Sequence, residues 1–280
     1  VVESIKASDV LAVAPVANMD QLIGGRTPGL IVLPSSGQVG TGAQLRVRGM
    51  SSLSLTNEPI VYIDGVRMDA SSSRGPGQRG GLGASRLDDI DPNDIESVEV
   101  IKGPAAGTLY GTEASTGVIQ IITKRGKSGK ASWNFSTRQG TNWLANPEGR
   151  SGMLYGFNTT TTQIDSVNLY RHEAEEGKGP IFTNGALQGY SLSVAGGSDA
   201  TKYFTSLNYD NDVGVVPWNT AKKLGARANL DLLIGNKLKL TTSVGSVRAR
   251  VRLAPGAIDI DRSAERRVGE VCRSRWSPDH

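Results

Sequence analysis

Hydrophobic and polar residues alternate in short runs through the second half of the chain, which is the pattern of β-strands with one apolar and one polar face. In one such run, Tyr203, Leu207 and Tyr209 alternate with Ser206 and Asn208. We therefore predict about five antiparallel strands there. Their positions are residues 131–139, 190–194, 203–209, 226–232 and 238–244.

The stretch around residue 100 predicts a different, compact set of elements. Asp91 before Pro92 is a typical helix start, with a capping side chain and a proline in the first turn. The apolar positions Val98 and Val100, continued by the aliphatic stem of Lys102, then predict a short strand that ends at Gly103 and Pro104. Residues 117–123 predict a second, buried strand.

The first 70 residues predict further strands and a helix. Residues 44–49 alternate, so that Arg46 and Arg48 are expected on one strand face. Residues 60–68 predict a strand, a tight turn at Asp64-Gly65 and a second strand. Asn18 is expected to cap a short helix with Met19, Leu22 and Ile23 on one face.

Five phrases occur in a fixed order: LRVRGMSS, NEPIVYIDGV, DPNDIESVEVIKGP, LYGTEASTGVIQIITKRG and GYSLSVAGG. Together they resemble the SusC/RagA branch of the TonB-dependent outer-membrane receptors, over about residues 1–250. Five ordered motifs are more specific than one glycine-rich match. The plug motif positions carried over from the family are Arg46, Arg48, Gly49, Asp64, Gly65, Glu96, Glu99, Lys102, Gly103, Pro104, Tyr110, Gly111 and Gly117.

The resemblance implies an α/β plug domain, a small mixed sheet with short helices, in residues 1–128. Residues 129–253 would be antiparallel strands of an incomplete transmembrane β-barrel, and residues 254–280 an atypical tail. The predicted connections alternate between long and short, as periplasmic turns and external loops do when the first strand runs outward.

The same resemblance implies a function. The protein would be an outer-membrane transporter of a Gram-negative bacterium for a bulky nutrient such as an oligosaccharide or peptide, with the plug gating the barrel lumen. Its implied partners are TonB, a SusD-like surface lipoprotein and outer-membrane lipid. It would need no cofactor and would not be an enzyme. The alternative is a soluble periplasmic or cell-surface binding module with a plug-like domain, whose outward strand face should be polar.

The charged plug positions allow two interpretations. Arg46 and Arg48 precede Gly49, and Glu96 and Glu99 lie near a strand that the family places in the same small sheet. These side chains would either form ion pairs that hold the plug or belong to an ordinary exposed strand face.

Two segments supply candidate ligand-binding residues. The glycine-rich residues 71–85 contain Arg74 and Arg79, and the alternative is a solvated connector. The long link between the first two predicted barrel strands contains Trp143, Tyr155 and Tyr170, whose aromatic faces suit sugars and peptides, or a barrel-rim girdle.

Other chemistry finds little support in the sequence. Cys272 is the single cysteine and His172 and His280 are far apart, so we expect no metal site. The carboxylates at Asp88, Asp89, Asp91 and Asp94 have no predictable acid or base opposite them, and helix capping explains them better. No apolar run is long enough for a helical membrane span.

The ends of the chain change how its charge is interpreted. Residues 262–280 lose the alternation and carry five arginines against three acidic residues, so they contribute +2 to a formal net charge of +4. We interpret this tail as non-native, and the basic balance then gives no reason to expect nucleic-acid binding. Neither a signal peptide nor a TonB-contacting segment is visible before Val1, and we expect both in the native protein.

Overall fold

The computed structural model describes residues 2–14, 16–34, 36–49, 57–68, 86–158, 163–175, 181–234 and 238–253. They form two parts, an α/β unit up to residue 123 and a strand wall after residue 129. Arg74 and Arg79, the connection at residues 235–237 and the tail at residues 254–280 lie outside the described residues.

The α/β unit is built on a five-stranded mixed sheet with the order β1-β6-β7-β4-β5. Strands β4 and β7 are parallel and the other neighbours are antiparallel. Strands β2 and β3 form a separate antiparallel pair. The elements are β1 (Val2–Lys6), α1 (Ala7–Val13), α2 (Met19–Ile23), β2 (Leu30–Pro34), β3 (Ala43–Val47), β4 (Ile60–Ile63), β5 (Val66–Met68), β6 (Ile95–Ile101), α3 (Pro104–Tyr110) and β7 (Val118–Thr123), with 3₁₀ turns at Arg86–Asp89, Pro92–Asp94 and Thr112–Thr116.

The larger of two hydrophobic clusters joins the helices and strands of this unit. The apolar face of α2 packs into the same cluster as the inner residues of β6 and β7, including Val98, Ile119 and Ile121. These side chains are fully buried, and each is worth about 1.5–3 kcal/mol relative to an exposed position. The predicted helix at residues 19–23 and the strands around Val98 and Ile121 are confirmed.

The predicted turn and cap signals have mixed outcomes. Asp64 and Gly65 both have positive φ, 48° and 85°, as a two-residue hairpin turn requires. Asp91 caps its 3₁₀ turn by accepting the Asn93 N–H at 2.7 Å. Asn18 stands at the start of α2, but its side chain makes no capping hydrogen bond. The Gln21 side chain instead reaches back to the Ala17 N–H.

The prediction that Arg46 and Arg48 share one strand face is wrong. Strand β3 ends at Val47, because Arg48 and Gly49 both have positive φ and turn the chain away. The Arg48 N–H still donates to the Gly29 carbonyl at 2.7 Å, one residue beyond the β2–β3 pairing. Strand β3 also pairs with β2 rather than with the sheet that contains Glu96 and Glu99.

The strand wall is a five-stranded antiparallel sheet with the order β14-β13-β12-β11-β8. The five predicted strands are confirmed, and no helix among the described residues is long and apolar enough to cross a membrane. The link after β8 has its own hairpin, β9 with β10, which the sequence did not suggest. The bounds are β8 (Gly129–Asn142), α4 (Pro147–Arg150), β9 (Met153–Asn158), β10 (Gln163–Asn168), α5 (Leu169–Glu175), β11 (Gly185–Gly197), β12 (Thr201–Val213), β13 (Thr220–Ile234) and β14 (Leu238–Arg252).

The two faces of the wall differ sharply in polarity. The face turned away from the α/β unit exposes a band of large apolar side chains, among them Trp133, Phe135, Leu192, Leu207 and Tyr209. The face turned toward the unit buries polar residues instead: Ser191, Ser193, Ser206, Asn208 and Asn229. This is the predicted alternation, and an apolar outward face is the opposite of what a soluble module needs.

Candidate functional site

The candidate site is the seam where the inner face of the strand wall meets the α/β unit. Phe204 is the one wall side chain among the buried hydrophobic residues of the described chain, so polar groups make most of this contact. They form three levels, each identified here by one residue: the lower level at Lys124, the middle level at Asp94 and the outer level at the cavity beside Lys223.

At the lower level a chain of hydrogen bonds crosses the seam. Ser243 donates to Asn229 at 2.7 Å, and Asn229 donates to the Thr123 hydroxyl at 3.1 Å and to the Lys124 carbonyl at 2.6 Å. The Thr123 hydroxyl in turn donates to Asp64 at 2.6 Å. The turn residue Asp64 is thereby connected to the wall, a contact that its turn motif did not predict.

At the middle level a single carboxylate of the unit serves two wall strands. Asp94, 5% exposed, accepts from Asn208 at 2.9 Å, and its Oδ2 lies 3.8 Å from the Nε of Arg227. Ser191 donates to Asn208 at 2.6 Å and fixes the orientation of that amide.

This level also has room for water. The buried atoms Oδ1 of Asp94, Nε of Arg227 and Oγ of Ser206 have no hydrogen-bond partner in the described protein. A cavity of about 310 Å³ adjoins Asp94 and Arg227. Because polar cavities of this size hold ordered water, we expect water to complete these hydrogen bonds.

At the outer level the wall supplies a charged network. Arg138 lies 3.3 Å from Asp210 and 3.2 Å from Asp212, and Lys223 lies 3.3 Å from Asp210. Lys223 also donates to the Asp88 carbonyl across the seam at 2.9 Å. These residues line a cavity of about 820 Å³, to which the unit contributes Asp20, Asp88, Asp89 and residues 36–41.

Two carboxyl groups of the unit meet at the edge of this cavity. Burial, and then the negative charge of Asp20, raise the pKa of Asp88 to about 8, while burial also raises the pKa of Asp20. Neither oxygen of Asp88 has a hydrogen-bond donor among the described residues. A pKa of about 8 favours the protonated form of Asp88 at neutral pH, and that proton is placed to bond to the neighbouring Asp20 carboxyl.

Most of the plug motif positions lie inside the unit and shape it. Lys102 is 6% exposed and ends 2.5 Å from Glu3, which joins β6 to β1. Gly103, Gly111 and Gly117 have positive φ around α3, which begins at Pro104, and Tyr110 hydrogen-bonds to Gln120. Within the described residues Arg46, Arg48, Glu96 and Glu99 form no ion pair.

The aromatic candidates lie away from the seam. Trp143 and Tyr155 are exposed in the segment between β8 and β11, and Tyr170 stacks on Phe182 in the same segment. Apart from Asp64, the residues that form the seam were not among the predicted site residues, although one signal was available. Charged residues at inward positions of strands otherwise lined with Ser and Asn could have been singled out: Arg138, Asp210, Asp212, Lys223 and Arg227. In the described chain no group of His, Cys, Asp and Glu side chains has an arrangement for binding a metal ion.

Comparisons with known proteins agree with this architecture. Residues 1–118 match the family model of the TonB-dependent receptor plug domain. The chain is similar to the TonB-dependent receptor SusC of Bacteroides thetaiotaomicron, at 31% identity over 79% of this chain and 22% of that protein. Its identity with TonB-dependent receptor P26 of Formosa agariphila is 30%, over 85% of this chain and 24% of that one. The chain thus spans about a quarter of these relatives.

Solved structures share the fold. The RagAB peptide importer in its closed-closed state superposes with a TM-score of 0.71 at 22% identity, over 91% of this chain and 31% of that one. The siderophore receptor PirA of Acinetobacter baumannii gives a TM-score of 0.60 at 20% identity, over 89% of this chain and 31% of that one.

Proposed function

This chain belongs to the SusC/RagA branch of the TonB-dependent receptors, and we propose that it supplies the plug and part of the barrel wall of an outer-membrane importer. The α/β unit is then the plug, in residues 1–128, and the strand wall is the part of the barrel in residues 129–253. The observation that carries this proposal is the contrast between the two wall faces, one apolar and exposed, the other polar and buried against the plug. A plug held inside a lipid-embedded barrel requires that contrast.

The seam is suited to holding a plug that must later move. Every buried member of the two hydrophobic clusters lies between Ile5 and Ile121, so the core of the plug does not extend into the wall. The seam instead uses hydrogen bonds, each worth about 0.5–1.5 kcal/mol net, because water can replace either partner. The plug can therefore leave the wall without opening its own core.

The outer cavity is our candidate for part of the ligand path. If the plug ends on the periplasmic side, β8 runs outward and the ends of β8 and β12 that carry Arg138, Asp210 and Asp212 lie toward the cell exterior. Charged and amide groups lining about 820 Å³ suit a polar ligand with many hydrogen-bonding groups. We propose an oligosaccharide or a peptide, and the fold shared with a peptide importer supports the second of these.

The energy for plug movement would come from TonB, through a coupling segment that precedes the plug in this family. A SusD-like surface lipoprotein would cover the external opening. The protein would bind and transport its ligand without covalent chemistry, in keeping with relatives that are named receptors and, in one case, a transporter.

Growth and fractionation test this proposal. We expect the intact receptor in the outer-membrane fraction, and we expect its deletion to abolish growth on one bulky oligosaccharide or peptide source. Loss of TonB should reproduce the defect, while growth on the free monosaccharide or amino acids serves as the control. Recovery in the soluble periplasmic fraction, with growth unchanged, would favour the binding-module alternative.

A further inference from the structure

The turn between β12 and β13, residues 214–219, reaches across the seam to one loop of the plug. Asn219 is fully buried there and its side-chain amide contacts only backbone groups. Its Oδ1 accepts the Val39 N–H at 2.9 Å, and its Nδ2 donates to the Val39 carbonyl at 3.1 Å and to the Arg252 carbonyl at 2.9 Å. One side chain therefore joins the plug to two wall strands.

The turn is shaped to present this amide. The Gly214 N–H bonds to the Asn219 carbonyl at 2.9 Å, and the Asn219 N–H bonds to the Val216 carbonyl at 3.1 Å. Trp218 has a φ of 71°, although its side chain is 70% exposed. A Cβ at Gly214 would lie 1.9 Å from Oδ1 of Asn219, so only glycine fits. A strained backbone of this kind persists where the surrounding structure holds it in place.

The plug loop at residues 36–41, the outer loop, is organised as a unit. The Thr41 hydroxyl donates to the Gln38 carbonyl at 2.7 Å, and Ser36 donates to the Thr41 hydroxyl at 3.2 Å. Gly40 sits so close to the wall that a Cβ would lie 2.5 Å from Val251. The outer loop also lines the cavity of about 820 Å³. Any molecule that fills this cavity therefore meets the outer loop.

We propose that Asn219 is the positioning residue that fastens the outer loop to the wall, and that a ligand in the outer cavity displaces the loop from it. When the loop moves, Val39 loses both of its hydrogen bonds to the Asn219 amide in one step. Ligand binding in the cavity thereby detaches the outer loop of the plug from the wall. The transport role of this contact rests on the proposed import function. The contact itself can be tested without any ligand.

Hydrogen exchange at Val39 in the purified intact receptor tests the contact. Asn219→Ala removes the acceptor of the Val39 N–H, and we expect exchange to be about five- to thirtyfold faster. Asn219→Asp keeps that acceptor but cannot donate to either carbonyl, so exchange should also accelerate. Trp218→Ala changes an exposed side chain in the same turn and is the matched control. Unchanged exchange at Val39 in Asn219→Ala would overturn the proposal.

A tethered group replaces the unknown ligand in a second measurement, which does not depend on how the Asn219 variants fold. Leu187 lines the cavity from the wall. In a cysteine-free background, Leu187→Cys is labelled with a bulky methanethiosulfonate reagent as the probe. We expect hydrogen exchange over residues 36–41 to become at least about fivefold faster after labelling. A labelled protein with an undisturbed outer loop would contradict the proposal.

These readouts separate the two hypotheses. A receptor that shows both exchange effects but supports growth on no bulky nutrient would contradict import and leave the Asn219 contact standing. Normal import without either change in hydrogen exchange would support import and contradict the proposed role of Asn219.

Discussion

The plug has two kinds of contact, and they differ in what holds them. Inside the unit, fully buried aliphatic side chains such as Val98, Ile119 and Ile121 pack into one cluster. Across the seam, Asn, Ser, Thr and charged side chains meet, with cavities between them. Close packing fails as a whole when one element moves, whereas hydrated hydrogen bonds can be exchanged for water one at a time. A domain can therefore be closely packed inside and still meet its surroundings through hydrated polar contacts.

Truncation in the core should give the largest effect. Ile121→Ala leaves a cavity at a fully buried position, and we expect the plug to lose about 2–5 kcal/mol of unfolding free energy. Urea denaturation followed by hydrogen exchange of the β7 amides measures this loss. Val66→Ala, at a position 71% exposed, is the control. A loss below about 1 kcal/mol for Ile121→Ala would show that the core relaxes around the gap.

Removing the central carboxylate of the seam should act on docking and spare the core. Asp94→Ala leaves Asn208 and Arg227 without their partner in a buried place, which costs about 1–3 kcal/mol. We expect faster proteolysis and exchange in the 3₁₀ turn Pro92–Asp94, with β7 amides unchanged. Asp94→Asn keeps the shape and an acceptor and should have a smaller effect. Equal loosening of β7 would mean that seam and core are not separate.

Sequence patterns predicted the parts of this molecule that depend on near neighbours. Alternation at a period of two residues identified the five wall strands and their polar faces, and Asp64-Gly65 identified a hairpin turn. What the patterns missed depends on distant partners. Strand β1 pairs with β6, about 95 residues away, and β3 leaves the main sheet for β2. No local signal distinguishes these pairings from others of similar hydrophobicity.

The seam was missed for the same reason. Lys223 reaches a carbonyl 135 positions earlier, and Asn219 meets Val39 across 180 positions. An asparagine after a proline and a tryptophan indicates only a turn. Asp88 was interpreted as a helix-capping residue, because its meeting with Asp20 depends on how helix α2 packs against the 3₁₀ turn Arg86–Asp89. Conversely, Trp143 and Tyr155 were candidate ligand-binding residues because their side chains are aromatic, but they do not line the outer cavity.

Asp88, at the outer level, should make the stability of the folded protein depend on pH. The pKa of Asp88 is raised to about 8 in the folded protein from 3.8, so between these values the folded state holds a proton that the unfolded state releases. Stability therefore falls as pH rises through this window and levels off above about pH 8. Asp88→Asn should flatten this slope, while Asp9→Asn, at an exposed helix position, should not. Thermal unfolding between pH 5 and pH 9 measures this slope. Equal slopes in the unaltered protein and in both variants would count against a proton held by Asp88.

The smallest effect should come from an ion pair at the edge of the seam. Arg125 lies 3.2 Å from Asp231, but its side chain is 36% exposed, so water and salt screen the attraction. A double-mutant cycle with Arg125→Gln and Asp231→Asn should give a coupling of about 0.2–1 kcal/mol that shrinks as salt is added. The corresponding cycle with Lys102→Gln and Glu3→Gln probes a pair whose lysine is 6% exposed, and its coupling should be larger and insensitive to salt. The two cycles could instead give the same coupling energy and the same response to salt. Hydration would then not explain why contacts across the seam are weaker than those inside the plug.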